Sequence, residues 1–303
     1  MKSSTSATPK TDLYERVTAC ILASLSNGAR PWLKPWTTAT AGPLARPIRH
    51  NGERFRGVNV VLLWSEAAAR GFVSPACMTY RQAQELGGQV RRAEAGTGIV
   101  YAGTYQKAET TEAGEEEERS IPFLRTYIVF NVDQIDGLPD RFKIKPTAQP
   151  QPLAVNEAAE DYFRNTGAVI RHGGDRAYYA PGPDAIQLPQ PGAFHTADGY
   201  LSTQAHELVH WTGHQGRLNR LFGQRFGDQA YAFEELVAEI GAAFICADLG
   251  VTTQIREDHA AYVGHWLQVM KADKRAVFTA AAQAQRAVDL LDSMQHVAEP
   301  LAA

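Results

Sequence analysis

Apolar residues recur at helical spacing from Leu13 to Leu25 (LYERVTACILASL), and Asn27-Gly28 ends the run, so the spacing predicts an amphipathic helix near the start of the chain. ARPWLKPWTTATAGPLARPIRHNGERFRG follows with no period and with many Pro, Gly, Arg and Trp residues, which predicts an extended loop. VNVVLLWSEAAARG and TYRQAQELGG return to helical spacing and stop at glycines. TGIVYAGTYQK and IPFLRTYIVFNV are dense in β-branched and aromatic residues and read as one hairpin, with AETTEAGEEEERS as its solvated, mobile tip. RFKIKPTAQPQPLA has the composition of a linker. Beyond it, Asn156 is placed to cap a helix EAAEDYFRNTG. Two short strands come next, AVIRH and AYYA to AIQLP, turned by PGPD. Helices then follow over AHELVHWTGH, EELVAEIGAAFICADLG, 257–272 and 274–297, and no internal repeat is present.

This pattern predicts an α+β chain of two domains: a tail over 1–12, a first domain over 13–145, a linker over 146–154, and a second domain over 155–303 whose C-terminal part is helical. Charge separates the same halves. Residues 1–107 hold 14 Lys+Arg against 6 Asp+Glu, a net of +8, while the remainder nets −11, and such asymmetry implies separate partners. Hydrophobic residues at 44% and charged residues at 21% exclude fibrous and disordered classes. No run of about 18 apolar residues is present, so no membrane partner is expected. MKSSTSATPKTD has no apolar secretory core, which places the expected location in the cytoplasm. Cys20, Cys77 and Cys246 are too scattered for a thiolate metal site and read as reduced thiols.

The stretch AHELVHWTGH carries the most specific chemistry. His206 and His210 are four apart, so a helix stacks both imidazoles on one face, and Glu207 lies between them beside that face. Two ligands plus a general base is the arrangement of a hydrolytic metal centre. For the third ligand, His214 extends the series but Gly213 is a helix stop that takes it out of line. Glu235 and Glu239 sit four apart on the next strong helix. Glu235 then closes a tetrahedral set that leaves one position open, and Glu239, one turn on, accepts the free N–H of a ligand histidine. Glu234, a quarter turn away, is expected to face solvent. Zinc is the default ion for these donors, with manganese as the alternative. Peptide hydrolysis suits the set, with Glu207 as proton carrier and DAIQLP as an edge on which an extended peptide adds. Tyr178, Tyr179, Tyr200 and Tyr231 are candidate oxyanion donors.

The basic half holds Trp32, Trp36 and Phe55 among Lys34, Arg30, Arg46, Arg49, Arg54 and Arg56, and a glycine-flanked turn adds Arg91 and Arg92. Aromatic faces stack on unpaired bases while cations follow phosphates, so single-stranded nucleic acid is the natural ligand.

Several long ordered blocks resemble the ArdC-type antirestriction proteins of plasmids and other mobile elements: LYERVTACILASLSNGARPWLKPW, FRGVNVVLLW, TYRQAQELGGQVRRAEAGTGIVY, VFNVDQIDGLP, HELVHWTGH with RLNR, and YAFEELVAEIGAAFICADLG. The resemblance runs over nearly the whole chain. It implies a single-stranded-DNA-binding N-terminal domain, of a kind also found in plasmid primases, and a C-terminal zincin-like metallopeptidase domain. It further implies His206, His210 and Glu235 as metal ligands, Glu207 as catalytic base, and protection of incoming DNA from host restriction. One position departs from the family pattern: Ala93 stands where glycine is expected. The leading expectation is therefore an antirestriction protein that binds single-stranded DNA and carries a metal-dependent peptidase acting on an unidentified protein substrate. The alternative is a non-catalytic single-stranded-DNA coat that protects sterically and keeps a structural metal.

Overall fold

The computed structural model describes residues 13–26, 45–110, 116–142, 156–222, 229–253 and 259–295. In chain order the elements are α1 (Leu13–Ser26), β1 (Ile48–Arg49), α2 (Val58–Arg70), β2 (Ala76–Met78), α3 (Tyr80–Glu85), β3 (Gln89–Val90), β4 (Thr97–Thr110), β5 (Glu116–Asn131), β6 (Ile135–Asp136), α4 (Glu157–Asn165), β7 (Val169–His172), β8 (Tyr178–Ala180), β9 (Ala185–Leu188), α5 (Ala197–Thr212), α6 (Gln229–Leu249), α7 (His259–Ala272) and α8 (Ala276–Ser293). They gather into two compact units that alternate along the chain. One comprises Met1–Arg46, Arg56–Ala68 and Pro146–Ala303, the other Pro47–Phe55 and Ala69–Lys145. By packing, then, α1 and most of α2 go with the helices of the second half, a grouping that a boundary drawn at 146–154 in sequence order does not express.

The β-rich unit holds a sheet of order β1-β2-β5-β4, with β1 parallel to β2 and the other neighbours antiparallel. The β4–β5 ladder runs from Thr97 opposite Val129 to Thr110 opposite Glu116, so strand pairing continues into the acidic stretch expected as a mobile tip. A second, two-stranded sheet pairs β3 with β6. Local chemistry explains how the chain enters it. Thr79 and Gln82 form a reciprocal cap on α3: Gln82 N–H donates to Thr79 Oγ1 at 3.3 Å, and Thr79 N–H to Gln82 Oε1 at 2.9 Å. After the helix, Gly87 takes a left-handed conformation (φ 80°) and Gly88 leaves no space for a side chain, since a Cβ there would stand 2.6 Å from Leu138 Cδ2. The small core beneath is Ala76, Met78, Ala83, Val90, Val132, Ile135 and Leu138.

In the helical unit α6 is the central element. Every residue from Glu234 to Cys246 is buried, and α5, α7 and α8 pack against it. Full burial of Leu236, Ile240 and Phe244 contributes roughly 1.5–3 kcal/mol each. Trp64 of α2 meets Phe244 edge-to-face at 5.8 Å, Tyr14 of α1 meets Phe278 at 4.7 Å, and Thr18 Oγ1 donates to the carbonyl of Lys274 at 2.7 Å. Asn156 caps α4 as expected, accepting from Ala159 N–H at 3.1 Å. The remaining sheet has the order β7-β9-β8, with β9 parallel to β7 and antiparallel to β8. DAIQLP is therefore the central strand and not an edge. The alternation of the sequence identified a strand but carried nothing about its neighbours, and among the described residues the outer strands are β7 and β8.

Candidate functional site

Thr196 caps α5 by accepting from Gly199 N–H at 3.0 Å, and the helix closes at Gly213. His206 and His210 thus lie one turn apart on a fully formed helix, both buried. The approach of α6 to α5 is set by a missing side chain: a Cβ on Gly241 would stand 2.8 Å from Val209 Cγ2. At this close crossing Glu235 meets both imidazoles. Its Oε2 is 3.5 Å from His206 Nε2, its Oε1 is 3.4 Å from His210 Nε2, and the two Nε2 atoms are 3.2 Å apart.

Donors each about 2 Å from one ion at tetrahedral angles stand roughly 3.3 Å from each other, so these three separations are the edges of one tetrahedral face. Among the described residues, these three offer ligand atoms all within 4.8 Å of one another, and all three are buried. Glu235 sits well below the usual carboxylate range: burial pushes it up, and hydrogen bonds with both histidines reverse this. The residues present fit a divalent ion.

A second ring of groups holds the imidazoles. His206 Nδ1 is 3.6 Å from Glu239 Oε1, near the ring nitrogen that Glu239 was expected to serve but beyond hydrogen-bond distance. His210 Nδ1 is 3.2 Å from Glu234 Oε1. Glu234 is 3% exposed, which corrects the expectation that it faces solvent. Arg220 explains how its charge is tolerated: Nη2 and Nε donate to the two carboxylate oxygens at 2.8 and 3.0 Å, and the same guanidinium donates to Thr212 Oγ1 at 2.9 Å and to the Val209 carbonyl at 2.6 Å. Burial pushes Glu234 up, while His210 and Arg220 hold it below its ordinary value. Burial alone lowers His210, and its bonds with Glu234 and Glu235 more than reverse this, raising it to about 10. Sequence reasoning missed Arg220 and Glu234. The available signal was the second ring nitrogen of His210, which needs an acceptor.

Glu207 is buried on α5 directly after His206. His214 lies past the helix end and accepts from Gly216 N–H through Nδ1 at 3.1 Å, apart from the ligand set. Of the candidate tyrosines, Tyr179 donates to Asp184 at 2.8 Å, Tyr200 Oη is 2.9 Å from His172 Nε2, and Tyr178 is exposed.

The residues expected to hold nucleic acid are divided. Trp32, Lys34 and Trp36 lie outside the described residues. Arg46 is buried in the helical unit, donating to Asp248 at 3.0 Å and Gln285 at 2.7 Å with its guanidinium 4.2 Å from the Phe244 ring, so it serves packing. Arg56 pairs with Asp289 at 2.5 Å but stays exposed. In the β-rich unit Phe55 is 3% exposed and its ring cannot stack on a base, whereas Arg49, Arg54, Arg91 and Arg92 are exposed. Arg46 and Phe55 are corrections. A cluster of arginines in sequence says nothing about an acid 202 residues away that claims one of them.

The sequence blocks have counterparts in known proteins. Residues 11–130 match the N-terminal domain of anti-restriction factor ArdC, and residues 157–283 match the zincin-like metallopeptidase family. A solved metal-free structure of the antirestriction protein ArdC from plasmid R388 is 46% identical with a TM-score of 0.79, covering 93% of this chain and 97% of that one. The Mn(II)-bound structure of the same R388 protein gives 44% and 0.78 over 95% and 100%. The uncharacterized protein y4eC of Sinorhizobium fredii (strain NBRC 101917 / NGR234) is 38% identical over 97% of both chains. A DNA primase TraC of Escherichia coli is 36% identical over 93% of this chain but only 27% of its own length. That match takes in both halves of the chain rather than the N-terminal module alone.

Proposed function

The chain belongs to the ArdC antirestriction family, and on that premise we propose that it holds one divalent metal ion on His206, His210 and Glu235 and hydrolyses peptide bonds in a protein close to single-stranded DNA that it also binds. The observation that carries the reading is the spacing of the three donors, 3.2, 3.4 and 3.5 Å, at the edges of one tetrahedral face. Zinc is the default occupant, and the manganese of the R388 relative supports that ion as the alternative. When bound, such an ion supplies Lewis acidity and a more acidic water. The chain's own residues do the rest. Glu207 carries a proton from the attacking water to the leaving amine, and Glu234 and Glu239 orient the two imidazoles. The outer strands β7 and β8 offer backbone groups to an extended peptide. Exposed arginines of the β-rich unit follow the phosphates of the strand. The biological outcome is protection of DNA entering a restricting host cell.

The test is elemental analysis of wild type, Glu235→Ala and Glu239→Ala, followed by a casein-type cleavage assay with and without single-stranded DNA. One ion per chain, lost in Glu235→Ala, and cleavage abolished in Glu207→Ala with the ion retained, is the expected result. Retention of the ion in Glu235→Ala removes the assigned ligand set. Full antirestriction activity of Glu207→Ala, with metal and DNA binding intact, removes the hydrolytic role and leaves the steric coat with a structural metal.

A further inference from the structure

The β-rich unit contains a second feature that the metal centre does not use. Tyr80, in the first turn of α3, is 43% exposed; its ring lies edge-on to Phe130 at 6.3 Å, and its hydroxyl accepts from Gln89 Nε2 at 3.1 Å. Tyr80, Gln89, Arg91, Arg92, Phe130 and Asp136 line a cleft of about 590 Å³, a volume within the range of small-ligand sites.

The two arginines differ in their commitments. Arg91 is pinned, donating to Glu94 at 3.0 Å, to the Asp133 carbonyl at 2.5 Å and to Asp136 at 3.5 Å. Arg92 is exposed and makes no ion pair among the described residues. The turn that presents it is itself constrained: Ala93, the departure from the family pattern, has φ 67°, a left-handed conformation that residues with a Cβ adopt at a cost. A partly exposed aromatic ring lining the same open cleft as a guanidinium without an ion pair among the described residues is the chemistry that receives an unstacked base and its phosphate. A base inside a duplex presents no free face to Tyr80.

We propose that this cleft seats one unpaired nucleotide of single-stranded DNA, its base stacked on Tyr80 and its phosphate on Arg92. The inference rests on the single-stranded-DNA reading given above and adds to it Tyr80, which sequence reasoning passed over, beside Arg92, which it had already grouped with the nucleic-acid residues.

The experiment is fluorescence anisotropy of a labelled oligo(dT) with the full chain in metal-depleted buffer, across a salt series. Tyr80→Ala weakens binding about tenfold to a hundredfold, the range for one lost stack, while Tyr80→Phe, which keeps the ring, binds like wild type. Arg92→Ala lowers the salt slope by about 0.7, the contribution of one phosphate on a single strand. Irradiation of a 5-bromouracil strand with unaltered protein gives a mass-mapped crosslink in the Tyr80 peptide. Unchanged affinity and slope in Tyr80→Ala and Arg92→Ala, against a wild type that binds, overturns the cleft and leaves the DNA reading standing. Crosslinks confined to other segments count against it equally. A wild type that binds no strand removes both readings, and direct binding of labelled thymidine monophosphate by such a protein, lost in Tyr80→Ala, reassigns the cleft to mononucleotides.

Discussion

Removing Arg220 is the sharpest way to test how the metal centre is supported. Arg220→Met deletes the bidentate bond to Glu234 and the bonds to Thr212 Oγ1 and the Val209 carbonyl, all inside the protein. Among the described residues Glu234 then keeps His210 as its charged partner, at 3.2 Å. Breaking a buried pair by removing one member costs about 3–5 kcal/mol, because the remaining charge is left in a medium that solvates it poorly. Since His210 still offsets part of that charge, the lower end applies, about 3 kcal/mol, or a fall of roughly 6–12 °C in Tm at about 2–4 °C per kcal/mol. Glu234, no longer clamped by Arg220, also holds the His210 ring less firmly, which lowers metal affinity about 10- to 100-fold. Calorimetric melting and a zinc or manganese titration read both effects. The double variant Arg220→Met with Glu234→Leu, which replaces the pair by apolar volume, recovers most of the melting loss but not the affinity. An Arg220→Met protein that melts within about 2 °C of wild type refutes the argument, as does a double variant less stable than the single.

Gly241→Ala forces α6 away from Val209 and costs about 1–3 kcal/mol, with a matching loss of metal affinity that a titration detects. Arg46→Ala breaks its buried pair with Asp248, costing about 3–5 kcal/mol of stability that shows as a lower Tm, and leaves the salt slope of DNA binding unchanged. Ala93→Gly relieves a left-handed residue and stabilises by up to about 1 kcal/mol in denaturant melts. In metal-depleted protein the His210 pKa of about 10 lies above the ordinary histidine value near 6.5. The stability it contributes is complete below about pH 6.5 and is lost as pH rises toward 10, a decline that melting curves follow and that bound metal, by displacing the proton, suppresses.

The sequence by itself determined most of the elements and singled out the candidate donors that the fold brings together. The helix and strand periods are local, so α1, α2, α5, α6 and the long β4–β5 hairpin were legible from the order of apolar positions, and two histidines one turn apart need only a helix to share a face. A carboxylate on the next apolar helix was equally legible, because a charge in that setting requires a counter-ion.

Tertiary structure alone decided what depends on neighbours distant in the chain. Arg46 looked like its basic companions until Asp248 and Gln285 took its guanidinium, and Glu234 looked like a surface residue until Arg220 and His210 enclosed it. The strand at Ala185–Leu188 was visible, but its central position depends on β7 and β8 pairing on either side of it. The same holds for Tyr80 and Arg92, twelve residues apart in sequence and brought to one cleft by the turn at Gly87 and Gly88 and the pairing of β3 with β6. Periodicity encodes which side of an element is buried. It does not encode what is buried against it, and charge compensation, edge availability and cleft formation are all properties of that second, non-local relation.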